Sequence, residues 1–324
     1  MTTLPVGSRI SLSNILYLTD FSAPSQAALA FGVSVAREYG AALHAFHVLT
    51  PNTLAYTTPE LAAATLEAEE EAAEIEMQRI ESQLDGVTHD TTVKRGFDVW
   101  PTIEDAILEF KADLIVLGTH GRTGPQRLVM GSVAEEIFRR SPIPVLTIGP
   151  AVDRGLHSGG RFHRILFATD FTPESLAAAP WAISMAQENQ ARLVLLNVLR
   201  QRQVLTNERI AEETVANSMY HLHELIPPSA ELWCRPEAFV QYGDPAHKIL
   251  EVAQERGADL IIVGVREATG YVGATTHLAR TTAQHIVAHS HCPVLTVRGQ
   301  HVELATAKAR PAETICGVST ALVI

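Results

Sequence analysis

The chain has 324 residues, enough for two domains of ordinary size. Its 46% hydrophobic and 19% charged content excludes a disordered polymer. A net charge of −11 argues against nonspecific binding to nucleic acid or to an anionic membrane, because either partner wants a basic face. Residues Asn14 to Asp20, NILYLTD, read as a buried first strand that ends on the polar pair Thr19-Asp20. Ser25 to Tyr39 has helical spacing, with Ala28, Phe31 and Val35 on one stripe, and Gly40 supplies a C-terminal stop. Asp20, at the strand-to-helix turn, is also a candidate cap for that helix. Ala42 to Leu49 is a second strand. Pro59 to Leu84 is a long helix carrying an acidic patch, Glu67, Glu69, Glu70, Glu71, Glu74 and Glu76, whose plain reading is a solvated face. Asp90 to Lys94 is a third strand and Ile103 to Lys111 a helix. A fourth strand, Leu114 to Leu117, empties into a glycine-rich loop with Gly118, Gly121 and Gly124. A helix starts at Ser132, where Ser132-Val133-Ala134-Glu135 has the form of a capping box, and Pro144 to Ile148 is the last strand.

Beyond Gly149-Pro150 the segment AVDRGLHSGGRF reads as a linker, and then the pattern begins again. Thr169-Asp170-Phe171 repeats Thr19-Asp20-Phe21, LVLLNV (Leu193 to Val198) repeats LHAFHV, and ADLIIVG (Ala258 to Gly264) repeats ADLIVLG. Pro293 to Val297 repeats Pro144 to Ile148. The period is about 150 residues, a duplicated domain rather than a solenoid. We therefore divide the chain into a first domain at 1–150, a linker at 151–162, a second domain at 163–299 and a tail at 300–324. Strands alternate with helices in both halves, which predicts parallel pairing with right-handed crossovers.

The glycine loop is the most specific stretch. Glycines let backbone N–H groups approach an anion with no Cβ in the way, and the helix behind the loop adds unpaired N–H groups and a positive dipole end. Such a loop is a candidate phosphate cradle. Its spacing, Gly118-x2-Gly121-x9-Gly131-Ser132, is neither a P-loop nor a dinucleotide fingerprint. It resembles the ATP-binding signature of the universal stress protein family, and the surrounding text GTHGRTGPQRLVMGSVAEEIFRRSPIPVLTI is similar to that family throughout.

That resemblance implies a tandem, UspA-like α/β protein. Each half would be a doubly wound parallel five-stranded sheet in the order 3-2-1-4-5, of the adenine nucleotide alpha hydrolase-like kind, in a three-layer α/β/α sandwich. It implies ATP as ligand, with Mg²⁺. Asp20 and its neighbours Leu18 and Thr19 would contact the adenosine, and Val48 would line the adenine pocket. Leu117, Gly118, His120, Gly121, Gly131, Ser132 and Val133 would follow ribose and phosphates. Arg122 and Arg127, in the same loop, could add charge-assisted bonds. Members of the family pair through the last strand, so Pro144 to Ile148 and Pro293 to Val297 are expected to pair within the chain as an internal pseudo-dimer. A homodimer of whole chains and further protein partners are also expected.

The second half keeps the frame and loses the loop. Glu267 stands in the place of Gly121, and Arg280-Thr281 in the place of Gly131-Ser132. Thr281-Thr282-Ala283-Gln284 still reads as a capping box. One nucleotide site per chain, in the first half, is the expectation. Other constellations are weaker. His285 and His289 are four apart, but no glutamate completes a metal motif, so no metal site is assigned. No nucleophile elbow and no acid-base carboxylate pair stands out, so no catalytic residue is named. The functional expectation is a nucleotide-gated regulator of the stress response. The alternatives are a slow ATPase or nucleotidyl- or phosphotransfer enzyme on the same fold, and a scaffold without a nucleotide. Cys234, Cys292 and Cys316 lack metal spacing and fit a reducing cytoplasm. The start, MTTLPVGSRISLSN, does not read as a signal peptide, and no apolar run is long enough to span a bilayer.

Overall fold

The computed structural model describes residues 10–51, 59–119, 130–152, 161–200, 208–228, 230, 234, 236–266 and 281–299. The first half runs β1 (Asn14–Leu18), α1 (Ala23–Tyr39), β2 (Ala42–Leu49), α2 (Pro59–Glu81), β3 (His89–Arg95), α3 (Val99–Phe110), β4 (Leu114–Gly118), α4 (Ser132–Arg140) and β5 (Val145–Ile148). The second runs β6 (Arg164–Ala168), α5 (Pro173–Leu176), α6 (Ala179–Asn189), β7 (Arg192–Leu199), α7 (Glu208–Glu224), β8 (Glu237–Tyr242), α8 (Pro245–Arg256), β9 (Leu260–Val265), α9 (Thr282–His289) and β10 (Val294–Arg298).

Each half has the order 3-2-1-4-5 with parallel neighbours, as expected. The two sheets join through their last strands, as the family resemblance implied. β5 and β10 pair antiparallel, with Leu146 opposite Leu295, and the result is one ten-stranded sheet, β3-β2-β1-β4-β5-β10-β9-β6-β7-β8. The seam is buried and hydrogen-bonded beyond its ladder. Thr147 Oγ1 donates to Val294 O at 3.0 Å, and Thr296 Oγ1 donates to Val145 O at 3.2 Å. Two edges that would otherwise be open templates are thereby closed on each other.

Strands β1, β4, β6 and β9 are apolar at almost every position because helices cover both faces. One core packs α1, α6 and the ends of α2 and α7 on one face; the other packs α3, α4, α8 and α9 on the opposite face. Each core runs across both halves. A fully buried side chain such as Phe46 or Ile115 contributes roughly 1.5–3 kcal/mol by leaving water.

The repeated ADLI text has a mechanical reason. The Asp113 carboxylate accepts from the N–H groups of Ser13 and Asn14 at 2.7 and 3.0 Å, pinning the start of β1. Asp259 accepts from His163 and Arg164 N–H at 2.6 and 2.9 Å and pins β6 in the same way. Gly40 ends α1 in the left-handed conformation (φ 65°), as its position predicted. Helix α3 starts at Val99, earlier than Ile103, with Asp98 at the N-cap. Pro101 is tolerated because it sits in the first turn, and the earlier start buries Trp100. Helix α2 stops at Glu81, short of Leu84. Among the described residues no helix is long and apolar enough to cross a membrane.

Candidate functional site

In the first half the strand order reverses between β1 and β4, and a crevice opens beyond their carboxyl ends. It is a cavity of about 1000 Å³ walled by the ends of β1, β2 and β4, the cleft side of α2, and the first turn of α4.

The β1–α1 turn is built by local hydrogen bonds. Phe21 takes φ 61°, and its N–H donates to Thr19 Oγ1 at 3.0 Å. Ser22 N–H donates to Asp20 Oδ1 at 3.0 Å. Ser22, not Asp20, then caps α1, its side chain accepting from Ser25 N–H. Asp20 braces the turn from two residues farther out, so the capping role expected of it falls to Ser22. His47 Nδ1 lies 2.8 Å from Thr19 O; a carbonyl can only accept, so this ring nitrogen carries the proton. The second half repeats the device. Phe171 takes φ 62°, Thr172 N–H donates to Asp170, and Asn197 Nδ2 donates to Thr169 O at 2.8 Å where His47 stands in the first half. Burial pushes the Asp170 carboxyl up, but hydrogen bonds from Thr172 and Ser175 and the Arg266 charge outweigh it and hold the group below the usual range.

Gly118 has a steric reason unrelated to any ligand. A Cβ there would lie 2.7 Å from the carbonyl carbon and oxygen of Pro24 and 2.8 Å from Ser25 N, in the first turn of α1. Gly264 is tighter still, with Glu174 O at 2.2 Å and Ser175 Cα at 2.5 Å. Both halves keep this glycine because β4 and β9 each run under a helix start.

Helix α4 departs from the capping-box expectation. Its N-cap is Gly131, extended at φ −61° and ψ 150°, and Ser132 is its first helical residue. Among the described residues no side chain caps it. Gly131 N–H is used by Thr119 O at 2.8 Å, which closes the base of the loop. Helix α9 does form the box: Thr281 Oγ1 accepts from Gln284 N–H, and Gln284 Oε1 accepts from Thr281 N–H at 2.9 Å. Aligned on the shared Pro-Val-Leu-Thr strands, Ser132 corresponds to Thr281, so α4 begins one residue earlier than α9. The first turn of α4 therefore borders the cleft with Ser132 and, among the described residues, without a side-chain cap on its N–H groups.

Of the residues expected at the site, Leu18, Thr19, Asp20, Val48, Leu117, Gly118, Gly131, Ser132 and Val133 all line this one cavity. His120, Gly121, Arg122 and Arg127 lie outside the described residues, as does Glu267 in the second half. His47, at the end of β2 beside Val48, lines the cavity too; sequence reading missed other walls: Met130, Ile103, and Glu69 with Glu76 from α2. The acidic run is thus divided. Glu67, Glu71 and Glu74 are exposed, Glu70 pairs with Arg95, and Glu69 and Glu76 line the cleft, Glu76 also pairing with Arg79. Their seven-residue spacing puts both on one helical face, a signal the charge count alone hid. His285 and His289 stack with ring centroids 4.2 Å apart. Among the described residues no group of three or more His, Cys, Asp or Glu is placed to hold a metal ion.

A doubly wound α/β unit of the adenine nucleotide alpha hydrolase-like class, duplicated and joined through its last strands, is what this architecture defines. The universal stress protein family profile matches residues 12–149 and again 161–298, and the chain belongs to that family. A universal stress protein of Bacillus subtilis is 31% identical over 150 residues, covering 42% of this chain and 99% of its own length. One from Mycolicibacterium smegmatis is 26% identical over 302 residues, covering 88% of this chain and 96% of its own. Among solved structures, a universal stress protein from Archaeoglobus fulgidus superimposes with a TM-score of 0.63 at 19% identity, over 89% of this chain and 98% of that one.

Proposed function

We propose that the first half binds ATP, with Mg²⁺, and that the protein acts as a nucleotide-gated regulator rather than as a fast catalyst. The observation that carries this reading is the cavity at the strand-order reversal, which joins an apolar wall to an uncapped helix start. Adenine is served by Val48, Leu18 and the flanking turn, and the ribose by Asp20. Phosphates are served by the α4 N–H groups, the Ser132 hydroxyl and the helix dipole. Glu69 on the cleft side of α2, beside a Glu76 that pairs with Arg79, disfavours a bare triphosphate, which is a reason for Mg²⁺ to accompany it. Bound ATP stabilises the conformation that receives it, and so biases association of the chain with its partners.

The test is calorimetry and thermal shift with ATP and Mg²⁺ on the wild type and on Gly131→Arg, which copies the second half into the first. At about a hundred times Kd, binding contributes about 2.7 kcal/mol of stabilisation. Saturation at one ATP per chain, lost in the variant, is the expected result. Two ATP per chain would overturn the single-site reading, and no binding would overturn the nucleotide reading. Turnover well above background, abolished in the same variant, would move the assignment to an ATPase.

A further inference from the structure

The helix that faces the cleft is held at both ends by the other half of the molecule. At its carboxyl end the Arg298 guanidinium, on the last residue of β10, is surrounded by backbone carbonyls. Nε donates to Ser141 O at 2.9 Å, and Nη2 donates to Phe138 O and Arg139 O at 2.9 and 2.8 Å. Nη1 donates to Arg266 O at 2.9 Å, tying the same group to the end of β9. Three of these acceptors belong to the last turn of α4, where carbonyls lack intrahelical partners and a cation is favoured by the dipole. At the amino end of α4, Glu135 Oε1 accepts from Gln284 Nε2 of the α9 capping box at 3.4 Å.

The grip on the carboxyl end is one-sided. The residue corresponding to Arg298 in the first half is Gly149. A Cβ there would lie 3.4 Å from Val287 O and 3.6 Å from Ser290 O, at the end of α9. The arginine is therefore directed at α4, the helix that borders the described cavity, and the α9 end meets a glycine. Helix α4 has nine residues, too short to hold itself in place. Glu135 sits in its first turn, where a carboxylate competes with a phosphate for the dipole. It is not among the cavity walls, and Gln284 holds it on the seam side.

We propose that the second half sets the position of the anion-facing end of α4, with Arg298 and Gln284 as positioning residues for phosphate recognition. The inference rests on the nucleotide reading above. It gives the degenerate half a role that needs no ligand of its own.

Adenosine and ATP separate the two claims, because adenosine uses the strand-end walls and only ATP uses the α4 start. Affinities for both are measured by calorimetry on the full chain, for wild type, Arg298→Ala, Arg298→Lys and Gln284→Glu. Gln284→Glu keeps the acceptor for Thr281 N–H but loses the donor to Glu135. The double exchange Glu135→Gln with Gln284→Glu restores a donor and an acceptor in reversed order. The expected result is an ATP affinity lower by about fivefold or more in Arg298→Ala and Gln284→Glu, with adenosine affinity held within about twofold. The double exchange recovers most of the ATP loss, and Arg298→Lys is intermediate because one ammonium cannot reach four carbonyls. Equal loss of both ligands, or no loss of either, overturns the inference while leaving the nucleotide reading standing. A wild type that binds adenosine and ATP equally overturns the inference too, and one that binds neither overturns both readings.

Discussion

Replacing Gly118 by alanine separates packing from ligand binding at the most specific motif in the chain. The added methyl would meet Pro24 C and O at 2.7 Å and Ser25 N at 2.8 Å, all backbone atoms in the first turn of α1. Backbone cannot rotate aside as a side chain can, so either β4 or the start of α1 must shift. Overpacking of this kind costs about 1–3 kcal/mol, and contacts with backbone put Gly118→Ala toward the upper end. Gly264→Ala, with contacts of 2.2 and 2.5 Å, is expected to cost at least as much, although its half lacks the rest of the glycine motif. Gly32→Ala is the internal control. It lies inside α1, its Cβ would make an ordinary 3.4 Å contact with Leu43 Cδ1, and it should gain about 0.5–1 kcal/mol from helix propensity. The assay is urea unfolding followed by far-ultraviolet circular dichroism, with thermal melts shifting by roughly 2–4 °C per kcal/mol. A Gly118→Ala protein as stable as Gly32→Ala would refute the steric argument and return the glycine to the ligand alone.

Two further outcomes follow from the hydrogen bonds. Tyr17 is fully buried and donates to Ser25 O at 2.7 Å; burial pushes its phenol up to about 12 from an ordinary 10.0. The unfolded chain ionises first, so the Tyr17 contribution is intact below pH 10 and is lost as pH rises toward 12, by an amount on the order of a few kcal/mol. Tyr17→Phe should lose about 1 kcal/mol at neutral pH yet show a flatter alkaline limb in urea titrations from pH 8 to 12; parallel limbs would count against the assignment. Thr281→Ala removes the side-chain cap of α9 and should cost about 1 kcal/mol in the same unfolding assay, with little loss pointing to a box that adds nothing in solution.

Much of the frame was legible because its signals are local. Apolar runs mark strands buried on both faces, Gly40 marks a left-handed helix end, and Thr281 with Gln284 marks a capping box that the fold does form. The same pattern misled at Ser132 and Glu135. There Gly131 can take the N-cap itself, and Glu135 finds a partner 149 positions away in the chain. No local rule contains that competitor. The described residues expected at the site line one cavity for a similar reason: the ends of β1, β2 and β4 converge wherever this strand order occurs. Glu69, Glu76 and Met130 were missed because their place on the cavity wall depends on the orientation of whole elements.

From its residues alone the chain determined the duplicated α/β frame, the asymmetry between an intact and a lost glycine motif, and the strand-end position of the candidate site. Those follow from period, polarity and backbone freedom, properties that neighbouring residues share. Tertiary structure alone decided that Gly118 is required by Pro24, that β5 and β10 pair antiparallel with Leu146 opposite Leu295, and that Arg298 crosses the seam to hold α4. Each of these depends on atoms brought together from distant parts of the chain, where steric exclusion and unpaired carbonyls select a partner that sequence spacing does not encode.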